Sequence, residues 1–315
     1  MRGLYQVTGC PTVTTINPFY TNDYSLTTNL IGKLINEVKG LQNRVAFQGE
    51  RGAFSEIAAL KYFNSSIDVL PCRSFEEVFK KVNQKKANYG ILPVENSYTG
   101  SITTVHDLLL REELFAIGEV KLKVEHCLIA KIDLSYNEIR KVYSHPQALA
   151  QCEKFLSKKL PDCEIIPVYD TAGSVKMIKE AKEDNVAAIA SSWASELYGL
   201  KVLRTEIQDN KFNYTRFLIL SPKISKDPKN NKTSIIFAVV SKPGALYSCL
   251  KKFASRNINL SRLESRPSKR EPWEYIFYTD FEKGLFEQNS QEALEALKKC
   301  TTFIKIIGTY YSKIE

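Results

Sequence analysis

Histidine is scarce in this sequence. His106, His126 and His145 are the whole supply in 315 residues, which leaves little scope for a histidine-built metal centre. None of the seven cysteines (Cys10, Cys72, Cys127, Cys152, Cys163, Cys249 and Cys300) stands in a CxxC pair, and their number is odd. That argues against a disulfide framework or a zinc site and for a reducing compartment, so a cytoplasmic setting is expected. No apolar run approaches the ~18 to 20 residues that a membrane helix needs. The N-terminus also lacks the apolar core of a signal peptide. There is no P-loop, no GxSxG elbow and no dinucleotide fingerprint, since Gly49-Glu50-Arg51-Gly52 fits none of them. No cofactor and no metal are expected. Dense basic runs are missing as well. The net charge is +9, and residues 221–315 hold 17 Lys and Arg against 10 Asp and Glu, but these charges are dispersed. They describe a basic soluble surface rather than a nucleic-acid footprint.

What remains is an ordinary globular composition, 43% hydrophobic and 25% charged. The chain is long enough for two or three domains, each with its own core. Residues 1–42 stand apart. As far as Tyr24 they are rich in Thr and Asn. Leu26, Leu30, Ile31, Leu34 and Val38 then share roughly one helical face, which predicts an extension ending in a short helix. From residue 43 to 220 the pattern of strand, loop and helix repeats. Val45–Phe47, Val69–Leu70, Tyr89–Val94, Lys141–Tyr143, Ile165–Val168 and Val186–Ala190 are apolar strands leading into polar loops and helices, one of them opened by the capping box Ser74-Phe75-Glu76-Glu77. A long extended piece, Leu114–Ala130, crosses over, and Asn213–Leu220 returns. An α/β domain with largely parallel sheets in two lobes is expected. Residues 43–124 with 213–220 make one lobe and 125–212 the other.

Residues 221–232, rich in Lys, Pro, Asn and Ser, read as a linker. Residues 233–315 then run βαββαβ, a ferredoxin-like plan. Leu246, Leu250 and Phe253 give its first helix an apolar face, and Pro243-Gly244 opens that helix. RNA-recognition domains share the plan, but Tyr275, Phe277 and Tyr278 do not sit in their aromatic consensus. Neither a nucleic-acid nor a membrane partner is expected.

The loops carry the functional signal. Five strand-to-helix turns deliver small hydroxyl or amide residues: Ser55; Asn96, Ser97 and Ser101; Ser144 and Gln147; Thr171 and Ser174; Ser191 and Ser192. Each alone is an ordinary helix cap. In series, on the edge where open α/β sheets bind ligands and helix starts attract anions, they predict a cleft around an anionic small molecule. Thr215-Arg216-Phe217 opens the returning strand. Its hydroxyl is a neutral donor and its guanidinium a permanent cation shaped for a carboxylate. The pair suits an acidic molecule that must lose an oxygen. Glu95 and Asp170 could form a carboxylate pair, although Glu95 could equally orient its own loop. His145 lies on a cleft loop, whereas His106 reads as a packing or surface residue.

These motifs, in order, resemble the prephenate dehydratase family and its close relative arogenate dehydratase. The matching segments are Ala46 to Ser55 (AFQGERGAFS), Leu92 to Ser97 (LPVENS), Gly100-Ser101-Ile102, Ser144 to Leu149 (SHPQAL), Asp170 to Gly173 (DTAG), Leu197-Tyr198-Gly199 and Asn213 to Phe217 (NYTRF). The C-terminal part resembles the family's regulatory ACT domain. Gly244-Ala245-Leu246 and Glu264-Ser265-Arg266-Pro267 match its phenylalanine-binding motifs, and Asn259 and Leu260 are placed in the same site.

The resemblance implies a two-lobed catalytic domain built like a periplasmic binding protein. It implies homodimers or homotetramers through the ACT domains, feedback inhibition by phenylalanine, and no metal. The family's essential threonine falls on Thr215 and its partner arginine on Arg216. Ser55, Asn96, Ser97, Ser101, Ser144, Gln147, Thr171 and Phe217 are the expected substrate contacts. Phenylalanine is expected between two C-terminal domains, with Glu264 and Arg266 either contributing to the site or forming an intrachain ion pair. The implied reaction takes prephenate to phenylpyruvate with loss of CO2 and water, or arogenate directly to phenylalanine. The substrates differ by a keto against an amino group, and the sequence does not choose between them. Thr215 is expected to donate to the departing ring hydroxyl. Arg216 is expected to hold the side-chain carboxylate, because an ion pair on the ring carboxylate would oppose its release as neutral CO2. With 42 residues upstream, no chorismate-mutase helical domain is expected.

Overall fold

The computed structural model describes residues 43–64, 67–268 and 275–313. The predicted extension and helix of residues 1–42 lie outside the described residues. In chain order the elements begin with β1 (Asn43–Gln48), α1 (Phe54–Tyr62), β2 (Ile67–Cys72), α2 (Phe75–Asn83), β3 (Tyr89–Asn96), β4 (Gly100–Ser101), α3 (Thr103–Arg111) and β5 (Phe115–Lys123). Next come β6 (Cys127–Ala130), β7 (Lys141–Ser144), α4 (Pro146–Gln151), α5 (Glu153–Lys159), β8 (Glu164–Pro167), α6 (Thr171–Glu180), β9 (Val186–Ala190), α7 (Ser192–Tyr198) and β10 (Lys201–Arg204). The chain returns as β11 (Tyr214–Ser221). It ends in β12 (Lys232–Ala238), α8 (Ala245–Ala254), β13 (Leu260–Pro267), β14 (Tyr275–Phe281), α9 (Gln288–Lys298) and β15 (Phe303–Tyr310).

Local chemistry fixes the helix starts that matter. Ser74 Oγ accepts from Glu77 N at 3.3 Å to open α2, and the Glu77 carboxylate reaches back to Arg73 N at 2.8 Å. Asp170 caps α6 by accepting from Gly173 N at 2.7 Å, and Ser191 caps α7 by accepting from Ala194 N at 3.1 Å. Gly199, at φ 68°, ends α7 in the left-handed region.

The strands form two sheets. One has the order β10-β6-β9-β7-β8, and the other the order β13-β14-β12-β15-β5-β11-β3-β1-β2, with β4 beside β3. Both are mixed rather than largely parallel. β1, β2 and β3 are parallel, as are β7, β8 and β9, but β11 runs antiparallel to both β3 and β5, and β6 and β10 are antiparallel. The reason is connectivity. β5 leaves the first lobe for β6 of the second, and the chain comes back from β10 as β11 beside β5, so the outgoing and returning strands, β5 with β11 and β6 with β10, run antiparallel. Phe47, Ile91 and Phe217 of the first sheet share a core with Ile129, Ala188 and Ala190 of the second and Ala194 of α7. Gly52 stands where the lobes meet: a Cβ there would lie 2.8 Å from the Ala194 Cα, and Ser191 Oγ donates to Gly52 O at 2.8 Å.

The C-terminal βαββαβ module continues the larger sheet. β15 meets β5 at Gly308 and Ala116, and a Cβ on Gly308 would sit 2.0 Å from the Ala116 carbonyl oxygen. One face of its sheet, with Ile235, Phe237 and Phe281, packs under α8 and α9. The other face, with Ile236, Tyr278 and Tyr310, packs on Leu108, Leu109 and Leu218 of the first lobe. Among the described residues no helix is long and apolar enough to cross a membrane.

Candidate active site

A cavity of about 320 Å³ lies between the two lobes. Ser55, Asn96, Gln147, Thr171, Thr215 and Phe217, six of the residues selected by sequence, line it. β3 and β11 place its centre, because Asn96 and Thr215 are register partners at the ends of these strands. Asn96 is oriented without ambiguity. Its Oδ1 accepts from Tyr98 N and Thr99 N, both at 3.0 Å, so its Nδ2 must be the side that faces Thr215. Nδ2 donates to Thr215 Oγ1 at 3.0 Å and to Asn213 Oδ1 at 2.7 Å. Thr215 Oγ1 is thereby an acceptor toward Asn96, and its own O–H is left for the cavity.

The same logic continues outward. Asn213 Nδ2 donates to Gln151 Oε1 at 3.1 Å, so the proton between Gln151 Oε1 and His126 Nε2, 2.8 Å apart, belongs to the imidazole. Burial lowers the His126 pKa and favours the neutral ring. Burial lowers that of His145 as well, and its Nδ1 accepts from Gln147 N at 3.2 Å to cap α4. Gln147 Nε2 reaches across the cleft to Thr99 Oγ1 at 2.9 Å. Gln48, His126, Gln151 and Tyr169 line the cavity without having been selected by sequence. Gln151 carried a signal, standing one helical turn beyond Gln147. His126, in the extended link between β5 and β6, carried none.

Four predicted site residues point elsewhere. Successive side chains of a strand take opposite faces, so Thr215 in the cleft turns Arg216 away from it. Arg216, 11% exposed, donates to Glu119 at 2.8 Å, to Asp280 at 2.5 Å and to Tyr310 Oη at 2.7 Å. Its guanidinium ties β11 to β5 and to the C-terminal module and holds no place in the cavity. Ser101 bonds to Arg262 and Glu264 of that module. Ser97 Oγ donates to Phe212 O and accepts from Tyr214 N, stitching β3 to the approach of β11. Ser144 is buried and donates to Ile189 O at 2.6 Å. Nor do Glu95 and Asp170 form a pair: Glu95 lies 3.7 Å from both Arg216 and Arg262, whereas Asp170 lines the cavity. Among the described residues no cluster of three or more His, Cys, Asp or Glu is placed to hold a metal.

A family model for prephenate dehydratase matches residues 45–225. The chain belongs to the prephenate dehydratase family. It is 42% identical over 282 residues to arogenate dehydratase/prephenate dehydratase 2, chloroplastic, of Arabidopsis thaliana, covering 86% of this chain and 73% of that protein. A solved prephenate dehydratase from Arthrobacter aurescens, in complex with L-Phe, aligns with a TM-score of 0.77 at 28% identity over 85% of this chain and 90% of its own. GqqA, described as a quorum quenching acylase, aligns with a TM-score of 0.77 at 31% identity over 86% of this chain and 98% of its own.

Within this member of the prephenate dehydratase family, the residues expected to bind phenylalanine are divided between two faces of the C-terminal sheet. Gly244, at φ 75°, precedes α8, in which Ala245 is buried and Leu246 partly buried against the helix-side core. Leu260 packs against that same core, and Asn259 Nδ2 donates to Glu282 at 2.8 Å. Glu264 and Arg266 alternate with the exposed Ser265 along β13 and turn to Ser101 and Thr103 of the first lobe. They do not pair with each other. Glu264 pairs with Arg262, while Arg266 lies 4.0 Å from Asp107 and donates to Thr103 O at 3.3 Å.

Proposed function

We propose that this chain is a lyase of phenylalanine biosynthesis that removes CO2 and water from a prephenate-type cyclohexadienol. Prephenate would give phenylpyruvate, and its amino counterpart arogenate would give phenylalanine. The observation that carries the reading is the Asn96–Thr215 hydrogen bond of 3.0 Å, which commits the threonine oxygen as an acceptor and frees its proton for the cavity. The bond between ring and ring carboxylate breaks, and its electron pair enters the ring. The C–O bond opposite breaks, and the hydroxyl leaves as water with a proton from Thr215. The Asn96 N–H stabilises the charge that develops on the threonine oxygen, and solvent restores its proton. Aromatisation drives the step, so positioning is the enzyme's main task.

The substrate carboxylates fall to neutral donors. These are the N–H groups at the start of α1 near Ser55, the Thr171 hydroxyl, and the amides of Gln147 and Gln151. An acylase reading is less well supported. An attacking hydroxyl needs a base within hydrogen-bond reach, and the side chain bonded to Thr215 is the donor amide of Asn96. In the favoured reading residues 43–220 are the catalytic domain, 221–232 the linker and 233–315 an ACT domain. That domain would bind phenylalanine beside Gly244 to Leu246 and join copies of the chain into a homodimer or homotetramer. The scattered cysteines fit a cytoplasmic enzyme. The test is to incubate purified protein with prephenate and with arogenate and to follow phenylpyruvate absorbance and phenylalanine release. Formation of neither product would end this reading.

A further inference from the structure

Two thiols meet inside the C-terminal module. Cys249 lies on α8, and Cys300 follows the end of α9. Their sulfurs are 3.4 Å apart, and the Cys249 thiol donates to the sulfur of Cys300. The thiols of Cys72 and Cys163 turn instead to backbone carbonyls, Leu70 O at 3.6 Å and Ile139 O at 2.9 Å. A buried cysteine by itself is a small hydrophobe, and Cys249 fills that part beside Phe253, Leu294 and Leu297. A second sulfur against it adds a chemistry that packing does not need. An S–S bond is about 2.05 Å long, so these sulfurs have only about 1.4 Å left to close.

The two sulfurs differ in access. Cys249 is fully buried, whereas Cys300 is only partly so. Burial pushes the Cys249 thiol up to about 12, which keeps it protonated and inert on its own. We propose that Cys249 and Cys300 are a reversible redox modification site, at which a hydroperoxide closes a disulfide that staples α8 to the end of α9. Cys300 meets the oxidant first. Its sulfur attacks one peroxide oxygen. The O–O bond breaks, an S–O bond forms, and hydrogen peroxide leaves its other oxygen as water. The product is a sulfenic acid. The Cys249 sulfur then attacks the Cys300 sulfur. The S–O bond breaks, and the hydroxyl leaves as water with the proton of the Cys249 thiol. Two thiols are oxidised, and one peroxide is reduced to two waters. Contact offsets the weak acidity of Cys249, because a thiol held against its target needs no encounter. In a reducing compartment the pair rests as thiols. The staple forms when peroxide rises and opens again with a dithiol reductant. Cys249 lies one helical turn beyond Ala245, so the staple holds α8 near its start.

The test treats the folded, reduced full chain with hydrogen peroxide, alkylates the remaining thiols, and reads cross-links by peptide mass spectrometry. The peptides carrying Cys249 and Cys300 are expected to appear joined, and dithiothreitol should separate them. Amide hydrogen exchange along α8 should slow several-fold in the oxidised protein. In Cys249→Ala, Cys300 should stop at the sulfenic acid, which dimedone traps. In Cys300→Ala, Cys249 should stay a thiol under the same treatment. A wild type whose pair stays unlinked overturns the proposal, whether Cys300 is left unreacted or driven to sulfinic acid. So does a linked protein in which α8 exchanges as fast as before, or a Cys249 that oxidises without Cys300. The wild-type measurement decides the matter even where a variant fails to fold.

Discussion

Thr215 and Arg216, consecutive in β11, face opposite sides of the same sheet. Thr215 lines the cleft, and Arg216 is locked between Glu119, Asp280 and Tyr310 beneath the C-terminal module. One strand thus carries a cleft hydroxyl on one face and the domain junction on the other. The roles of the two residues should separate cleanly in experiment.

Thr215→Ala removes the donor and leaves the other cavity groups in place. Its kcat is expected to fall by ~10² or more, the scale of a positioned proton donor, with KM close to the wild-type value. Thr215→Ser keeps an O–H on the same carbon and should retain a measurable part of the rate. Steady-state kinetics decide the matter. Equal losses in the two variants would remove the hydroxyl from the mechanism.

Arg216 predicts a loss of a different kind. Replacing it with Met leaves Glu119 and Asp280, both 4% exposed, without their shared cation. Lys232 still reaches Glu119 at 3.1 Å, and Asp280 keeps only the more distant charges of Arg262 and Lys232. Breaking a buried pair from one side costs roughly 3–5 kcal/mol. Urea unfolding should show that scale of destabilisation. If Arg216 held a substrate carboxylate instead, the variant would keep its stability and raise KM.

The sequence revealed the two-lobed α/β plan and the βαββαβ module because both are written in hydrophobic periodicity, which is local. It revealed the cleft residues that stand at helix starts, Ser55, Gln147 and Thr171, because capping chemistry and anion binding use the same residue types. What it did not reveal was facing. Arg216, Ser101 and Ser97 are polar residues of the right kind beside cleft residues. Whether each turns to the cleft depends on strand alternation and on the docking of a module more than a hundred residues away, which no short window contains. His126 escaped for a related reason: its role comes from Gln151 and Asn213, brought to it only by the tertiary fold.

His106 gives the junction a pH dependence. Arg262 Nη2 lies 2.9 Å from its Nε2, and a guanidinium can only donate, so Nε2 is the acceptor and Nδ1 donates to Ile102 O at 3.2 Å. Burial, and then Arg262, push its pKa down to about 4. An unfolded histidine titrates near 6.5. Between these values the unfolded chain takes up a proton that the native one refuses. Stability is therefore full above the unfolded value and falls as pH drops toward 4. At about 1.4 kcal/mol per pKa unit the window is on the order of 3 kcal/mol. His106→Gln can keep an acceptor for Arg262 but cannot titrate. Unfolding free energies measured across this range should slope less steeply in the variant, and an unchanged slope would place the acid sensitivity elsewhere.

Glu264 stands where the C-terminal module touches β4, beside the cleft. Its carboxylate takes Arg262 and the hydroxyl of Ser101, and Ser101 pairs in register with Glu95, the residue before Asn96. A change in the position of β13 would therefore reach the asparagine that orients Thr215. If phenylalanine binds the C-terminal module as proposed, it can act on the cleft only by favouring one of two such arrangements, and couplings of this kind typically amount to 1–3 kcal/mol. Glu264→Ala cuts the contact without entering the cleft. It should keep a basal rate near that of the wild type while the phenylalanine concentration for half-inhibition rises ~5-fold or more, the lower end of that range. Inhibition curves with and without the substitution provide the measurement. Coincident curves would mean that the Glu264 contact is static and that the signal, if there is one, travels through another part of the junction.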